Sequence, residues 1–251
     1  ADGTVLAVYE SPSQIWGMRE ISGGRILIFG RDSLLHLLSV DATLLATFSG
    51  HQDIVTGAME LADGRILSWS FDDSARLWDA DGQFITELQG NWGTTIGDVL
   101  QLRNGTILAT TWDTIRLWDL SGQSLAIFNG HEDSINGIME LADGRILSWS
   151  SDDTLRLWRI DGQLLATLAG HTSSVWSAIE LSDGRILSAS SDDTLRLWDV
   201  NGQFIVIVPN DRGGNNILAL HYNRILSCDS QSYPTISNVY PNLHEYACTR
   251  F

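Results

Sequence analysis

With 251 residues, 43% hydrophobic and ten of them Trp, the chain can bury a sizeable core, which excludes a disordered segment. Its formal net charge of −16 repels phosphate backbones and anionic headgroups, so nucleic acid and membrane surfaces are not expected as partners and a cationic ligand fits better. All fifteen basic residues are Arg, so there is no Schiff-base lysine and no P-loop lysine.

In chain order, residues 1–10 (ADGTVLAVYE) read as the end of a repeat rather than its start, since they align with DGQLLATLAG at Asp161. Residues 11–50 carry a degenerate copy with GGRILIFGRDSLLHLLSV, and fuller copies occupy 51–90, 91–130, 131–170 and 171–209. Met59 to Ser70 is identical to Met139 to Ser150. The last copy, 210–239, keeps NRILSCDS and then dissolves, with Cys228 and Cys248 the only cysteines and too few to define a metal set or a disulfide framework. A period of about 40 residues marks stacked or circular arrays.

Within a copy the apolar segments are short and alternating, as strands are: SINGIMEL, RILSWSS, TLRLWRI and QLLATLA. Asp143-Gly144, Asp152-Asp153 and Asp161-Gly162 separate them, and Asp-Gly supplies the positive φ of a tight hairpin. Four antiparallel strands in forty residues cannot stand alone. Closing the array into a ring covers both ends, which predicts an all-β, six-bladed β-propeller filling residues 1–251 as one domain. Third strands are expected near 34–39, 75–79, 115–119, 155–159, 195–199 and 235–239, and fourth strands near 4–9, 43–48, 83–88, 123–128, 163–168 and 203–208. On this reading the strand at 4–9 completes the sheet of residues 215–239 and closes the ring, the alternative being Leu243 to Cys248.

The residues GH, then DGRIL, then S-x-D-D-T-L-R-L-W-D resemble WD40 repeats over almost the whole chain. The resemblance implies a propeller, for which seven blades is the alternative count, and a brace in each blade. The matching sets are His51, Ser70, Asp72 and Trp78; His131, Ser150, Asp152 and Trp158; and His171, Ser190, Asp192 and Trp198. A buried carboxylate would hold the imidazole, the imidazole would meet the hydroxyl, and the indole N–H needs an acceptor. Asn91 replaces the His of the third copy, Pro12 and Leu38 replace His and Trp in the first, and the fourth reads Trp158-Arg159.

The His, Asp and Ser of each copy could suggest a triad, but three near-identical triads in one chain favour a brace, so no catalytic residue is assigned and the chain is not expected to be an enzyme. The Asp-rich turns lack the spaced ligands of a calcium loop, and the remaining His show no metal spacing, so neither a metal nor a cofactor is expected. Glu60 with Arg65, Glu140 with Arg145, Glu180 with Arg185 and Glu20 with Arg25 are expected to pair across the first hairpin.

Function should lie where the copies differ. The residue four before the Glu that ends the first strand is Trp16, Thr56, Gly97, Asn136 and Trp176 in successive copies; the one before the turn Asp is Arg31, Phe71, Trp112, Ser151 and Ser191. By the WD40 resemblance both columns open on the top face around the central channel, where partner peptides dock. Trp16, Arg31, Phe71, Trp92, Trp112 and Trp176 are therefore the candidate partner-binding residues, Trp and Arg being the types enriched at hot spots. The expected function is a non-catalytic scaffold, a monomer or part of a larger chain, that binds a protein or peptide. The alternative is a small-molecule or glycan binder with a repeated pocket in each blade.

Overall fold

The computed structural model describes residues 7–88 and 96–208, and the backbone of three further strands. Among the described residues the elements are β-strands, apart from one short 3-10 turn at Ser22–Gly24. Five antiparallel sheets of four strands follow one another: β1 Ile15–Glu20, β2 Ile26–Gly30, β3 Leu34–Leu38 and β4 Leu44–Ser49; then β5 Val55–Glu60, β6 Ile66–Ser70, β7 Ala75–Trp78 and β8 Phe84–Glu87. The third holds β9 Val99–Gln101, β10 Ile107–Thr110, β11 Thr114–Trp118 and β12 Ser124–Asn129. The fourth and fifth hold β13 Ile135–Glu140, β14 Ile146–Ser150, β15 Thr154–Trp158 and β16 Leu164–Ala169, then β17 Val175–Glu180, β18 Ile186–Ser190, β19 Leu195–Trp198 and β20 Phe204–Val208. A sixth sheet has three described strands, β21 Gly214–Leu220, β22 Arg224–Asp229 and β23 Pro234–Asn238. In each sheet the strands pair in sequence order, the meander that the spacing of the apolar segments predicts.

The expected closing strand at 4–9 falls largely outside the described residues; Ala7 to Glu10 are not in a strand, and Leu243 to Cys248 also lie outside. The described residues up to Thr111, with Arg116–Leu125, make one compact unit; Trp112–Ile115 and those from Ala126 onward make a second.

The turns follow the sequence chemistry. In the first hairpin of a copy, Gly64 N–H reaches the Leu61 carbonyl at 2.9 Å and Gly64 takes φ 84°, a left-handed value that glycine adopts without a Cβ penalty. Between the second and third strands the left-handed residue is Asp73, Asp153 or Asp193, and Ser33 in the first copy. The Asp after the Trp serves the next turn: Asp79 Oδ1 accepts the N–H groups of Asp81 and Gln83. Where Arg159 replaces that Asp, its guanidinium instead pairs with Asp161.

The core lies between sheets. In the first unit Leu27, Leu35, Leu37 and Phe48 pack with Val55, Ala58, Ile66 and Trp78 of the next copy. Phe48 stands edge-on to Trp78 at 5.8 Å, and in the second unit Phe128 meets Trp158 the same way at 5.7 Å. Edge-to-face aromatic pairs contribute about 0.5–1.5 kcal/mol beyond their buried area. So the Phe of one fourth strand keys into the Trp of the following copy.

The first-hairpin ion pairs differ from expectation. Arg65, Arg145 and Arg185 bind the carboxylates of Asp63, Asp143 and Asp183 in their own turns. Glu60 instead bonds Arg25 at 2.8 Å and the Ser22 hydroxyl, and Glu180 accepts the Ala142 N–H at 2.7 Å. The turn Asp is two residues from the Arg, a shorter reach than across the hairpin, which frees these Glu to tie a copy to the one before.

Candidate functional site

Two sets of residues compete for the role of site: the repeated polar brace and the variable columns. In the second copy, His51 Nδ1 sits 3.0 Å from Asp72 Oδ2, and its Nε2 sits 2.8 Å from a serine hydroxyl. That serine is Ser68, and the Trp78 indole N–H donates to the same oxygen at 2.8 Å. The fourth copy repeats it with His131, Asp152, Ser148 and Trp158, and the fifth with His171, Asp192, Ser188 and Trp198. The sequence reading gave this hydroxyl to Ser70, Ser150 and Ser190. Those serines do other work: Ser70 Oγ donates to the Asp53 carbonyl at 3.0 Å and accepts the Asp72 N–H at 3.1 Å, and Ser150 and Ser190 do likewise.

Both serines point to one side of the strand, so alternation cannot separate them. The register can. Trp78 lies opposite Ile66, which leaves Ser68 as its diagonal neighbour.

The network has one direction of donation that satisfies every group. Indole N–H gives to Ser Oγ, Ser O–H gives to imidazole Nε2, and imidazole Nδ1–H gives to Asp. That requires a neutral imidazole. Burial lowers the pKa of His51 and His171, and the neighbouring Arg76 and Arg196 add to the shift, outweighing the opposing pull of Asp72 and Asp192. For Asp72, Asp152 and Asp192 burial alone would raise the pKa, but hydrogen bonds from Ser74 or Thr154 or Thr194, from the imidazole and from a backbone N–H hold each carboxyl below its usual range.

The first copy rebuilds this arrangement. Ile28 and Leu38 occupy the places of the Ser and the Trp, and both are buried. Asp32 keeps its place, and His36, on the third strand where the other copies have Arg76, Arg156 or Arg196, sets Nε2 3.1 Å from Asp32 Oδ2. Its Nδ1 is 3.5 Å from the Thr47 hydroxyl and its ring is 6.1 Å from that of Tyr9. The register aligns Ile15 with Val55, which puts Ser11 rather than the expected Pro12 at the place of His51. The imidazole missing there is supplied from another strand, a replacement that single-copy alignment does not reveal. In the third copy Ala109 stands where Ser68 does in the second.

The variable columns lie elsewhere. In four of the five four-stranded sheets the register slips on the first strand, between Ile15 and Gly17, Val55 and Gly57, Ile135 and Gly137, and Val175 and Ser177. The slipped residue is Trp16, Thr56, Asn136 or Trp176. A bulge re-aims its side chain away from the ladder, so this column is built to point elsewhere. Across the hairpin the second column meets the first: Asn136 Nδ2 donates to Ser151 Oγ at 3.0 Å, and Trp176 Nε1 donates to Ser191 Oγ.

In the first unit Trp16 and Phe71 are 50% and 39% exposed, and their rings meet edge-to-face at 6.3 Å. Arg31 is exposed at the end of the β1–β2 hairpin, its N–H on the Gln14 carbonyl. In the second unit Trp112 and Trp176 are 58% and 44% exposed. The Trp112 carbonyl accepts the Ile135 N–H at 2.7 Å, and the Trp176 carbonyl accepts the Trp149 indole N–H at 3.2 Å. Trp92 lies outside the described residues. Trp69 and Trp149, half-buried, pack on the cores of their units. Among the described residues no group of three or more His, Cys, Asp or Glu is arranged to hold a metal ion, and no helix is long and apolar enough to cross a membrane.

Comparison with known proteins agrees with this construction. The family model "WD domain, G-beta repeat" of the WD40 family matches residues 42–79, 122–159 and 162–199. Among solved structures, the WD40 β-propeller domain of Doa1 is similar with a TM-score of 0.60 and 24% identity, over 86% of this chain and 75% of that one. The computationally designed Ika8 protein is similar with a TM-score of 0.74 and 24% identity, over 92% of this chain and 73% of that one. No curated protein sequence gives a significant match.

Proposed function

This chain is a WD40-repeat protein, and from that premise we propose that it is a non-catalytic interaction scaffold, a single six-bladed propeller that binds a protein or peptide segment on the face onto which the two variable columns open. The observation that carries the reading is the contrast between columns and brace. The brace residues are buried and satisfied by one another, whereas Trp16, Phe71, Trp112 and Trp176 remain substantially exposed. Exposed aromatics at bulged or turn positions are the side chains that bury most area on a partner at low entropic cost.

A hydrolytic reading of His, Asp and Ser finds no support in the geometry. The Ser68 oxygen is buried and already accepts the Trp78 indole, so a substrate carbonyl cannot reach it. Repeated small-molecule pockets are also disfavoured, because equal sites need equal residues and the column runs Trp16, Thr56, Asn136, Trp176. The acidic field favours basic residues somewhere in the ligand.

The test is affinity isolation of a partner from the native source, followed by direct binding with purified components. Replacing Trp16, Phe71, Trp112 and Trp176 with Ala should leave the far-UV spectrum unchanged and abolish binding. Unchanged affinity in the fourfold variant discards the assignment.

A further inference from the structure

Arg31 stands apart from the other arginines. Among the described residues each of the others has a partner: Arg19 donates to the Ala58 carbonyl, Arg25 binds Glu60, and Arg65, Arg145 and Arg185 bind the Asp of their own turns. Arg76, Arg156, Arg159 and Arg196 lie near a carboxylate or against an aromatic face, and Arg103 and Arg116 also have partners. Among the described residues the Arg31 side chain has neither hydrogen bond, ion pair nor ring contact, and it is exposed. In a chain with 31 acidic residues against 15 basic ones, a guanidinium with no partner among the described residues is the exception.

Its position gives that exception a use. The equivalent residues Ser151 and Ser191 bond the bulge residue of their own sheet, which shows that side chains at these two places are within reach of each other. Arg31 therefore occupies the position from which a side chain reaches the Trp16 place, and one flank of Trp16 is the Phe71 ring. In other copies the polar side chains of the bulge column are satisfied internally: Asn136 by Ser151 and the Val175 carbonyl, and Thr56 by the Trp69 carbonyl. The Trp16, Arg31 and Phe71 corner combines an apolar edge with an unspent planar donor.

We propose that this corner takes a peptide segment in which an aromatic or large apolar side chain neighbours an Asp or Glu, the apolar group lying against Trp16 and Phe71 and the carboxylate accepting two N–H groups from Arg31. A guanidinium presents its donors in the fork that a carboxylate matches. The field of the whole chain acts on the rest of the segment, where basic residues are favoured, while the short-range pair at Arg31 selects the acid. The inference rests on the interaction reading above.

The experiment is selection of a displayed random heptapeptide library on the full chain, on Arg31→Glu, and on the fourfold Ala variant. The most enriched peptide and its version with Gln for the acidic residue are then compared by fluorescence polarisation. Expected is enrichment of an aromatic or large apolar residue adjacent to Asp or Glu, with the acidic peptide favoured over the Gln version by roughly tenfold or more, as a charge-assisted hydrogen bond would give. In Arg31→Glu the preference should vanish or reverse, with its melting temperature unchanged. Enrichment of apolar residues with no acidic neighbour, or an acidic preference that survives in Arg31→Glu, overturns this inference and leaves the scaffold reading intact. Absence of any selected peptide that needs the four aromatics overturns both.

Discussion

The two serines of the second strand give the sharpest test of how a blade is held. Ser148 is fully buried; it accepts the Trp158 indole N–H at 2.8 Å and donates to His131 Nε2, also at 2.8 Å. Ser148→Ala keeps the Cβ and removes only the oxygen, which orphans a buried donor and a buried acceptor together. Each such orphan costs about 1–3 kcal/mol, so the loss should be about 2–6 kcal/mol. For a chain of this size a loss of 1 kcal/mol lowers Tm by about 2–4 °C, so the drop should be about 4–24 °C. Ser150→Ala removes bonds to the Asp133 carbonyl and from the Asp152 N–H, at a turn where Asp133 is exposed. Water can take over there, and the cost should be about 1 kcal/mol. The assay is thermal unfolding by near-UV circular dichroism at pH 7.5, side by side. A Ser150→Ala loss equal to or larger than that of Ser148→Ala would refute the reasoning, since it would put the central hydroxyl where the sequence pattern alone suggested.

Other outcomes follow from the same geometry. Because His51 and His171 have lowered pKa values when folded, the unfolded chain binds more protons between the folded values and the ordinary 6.5, so their contribution is present above pH 6.5 and declines as pH falls below it. Asp32, Asp72, Asp152 and Asp192, also lowered, act in the same direction below the ordinary carboxylate value of 3.8. Urea midpoints should therefore fall in two stages on acidification, and a midpoint that rises between pH 6.5 and 5 would count against the neutral-imidazole network. A Cβ on Gly137 would lie 2.3 Å from Trp149 Cζ2, while the fifth copy has Ser177 opposite Ala189. Gly137→Ser should cost about 1–3 kcal/mol alone, and less when combined with Trp149→Ala; additive losses in the double-mutant cycle would show that the two do not share space. Asp32→Ala and His36→Ala should likewise be less than additive in urea denaturation, because each breaks the same 3.1 Å pair; full additivity would remove the replacement brace of the first copy.

Much of the architecture was legible because the repeat announces it. The Asp-Gly pairs, the alternating apolar segments and the forty-residue period specify five four-stranded meanders in order. What escaped needed coordinates that single copies do not encode. Ser68 and Ser70 have the same facing, so only the diagonal relation to Trp78 assigns the central hydroxyl. His36 aligns with arginines, so its role beside Asp32 is invisible until the two strands are paired. The arginines of the first hairpin had two carboxylates within reach, and the nearer Asp won over the Glu. The columns themselves could be read from their variability, but not the bulge that turns Trp16 and Trp176 off the ladder, nor that Arg31 has no partner among the described residues.

The central claim is that recognition belongs to the columns and the brace only holds the blades. The direct measurement is affinity for a purified partner by calorimetry, at a temperature where all proteins are folded, for wild type, Ser148→Ala and the Trp16, Phe71, Trp112 and Trp176 fourfold Ala variant. The account predicts wild-type affinity for Ser148→Ala and no detectable binding for the fourfold variant. Loss of binding in folded Ser148→Ala with retention in the fourfold variant would contradict it.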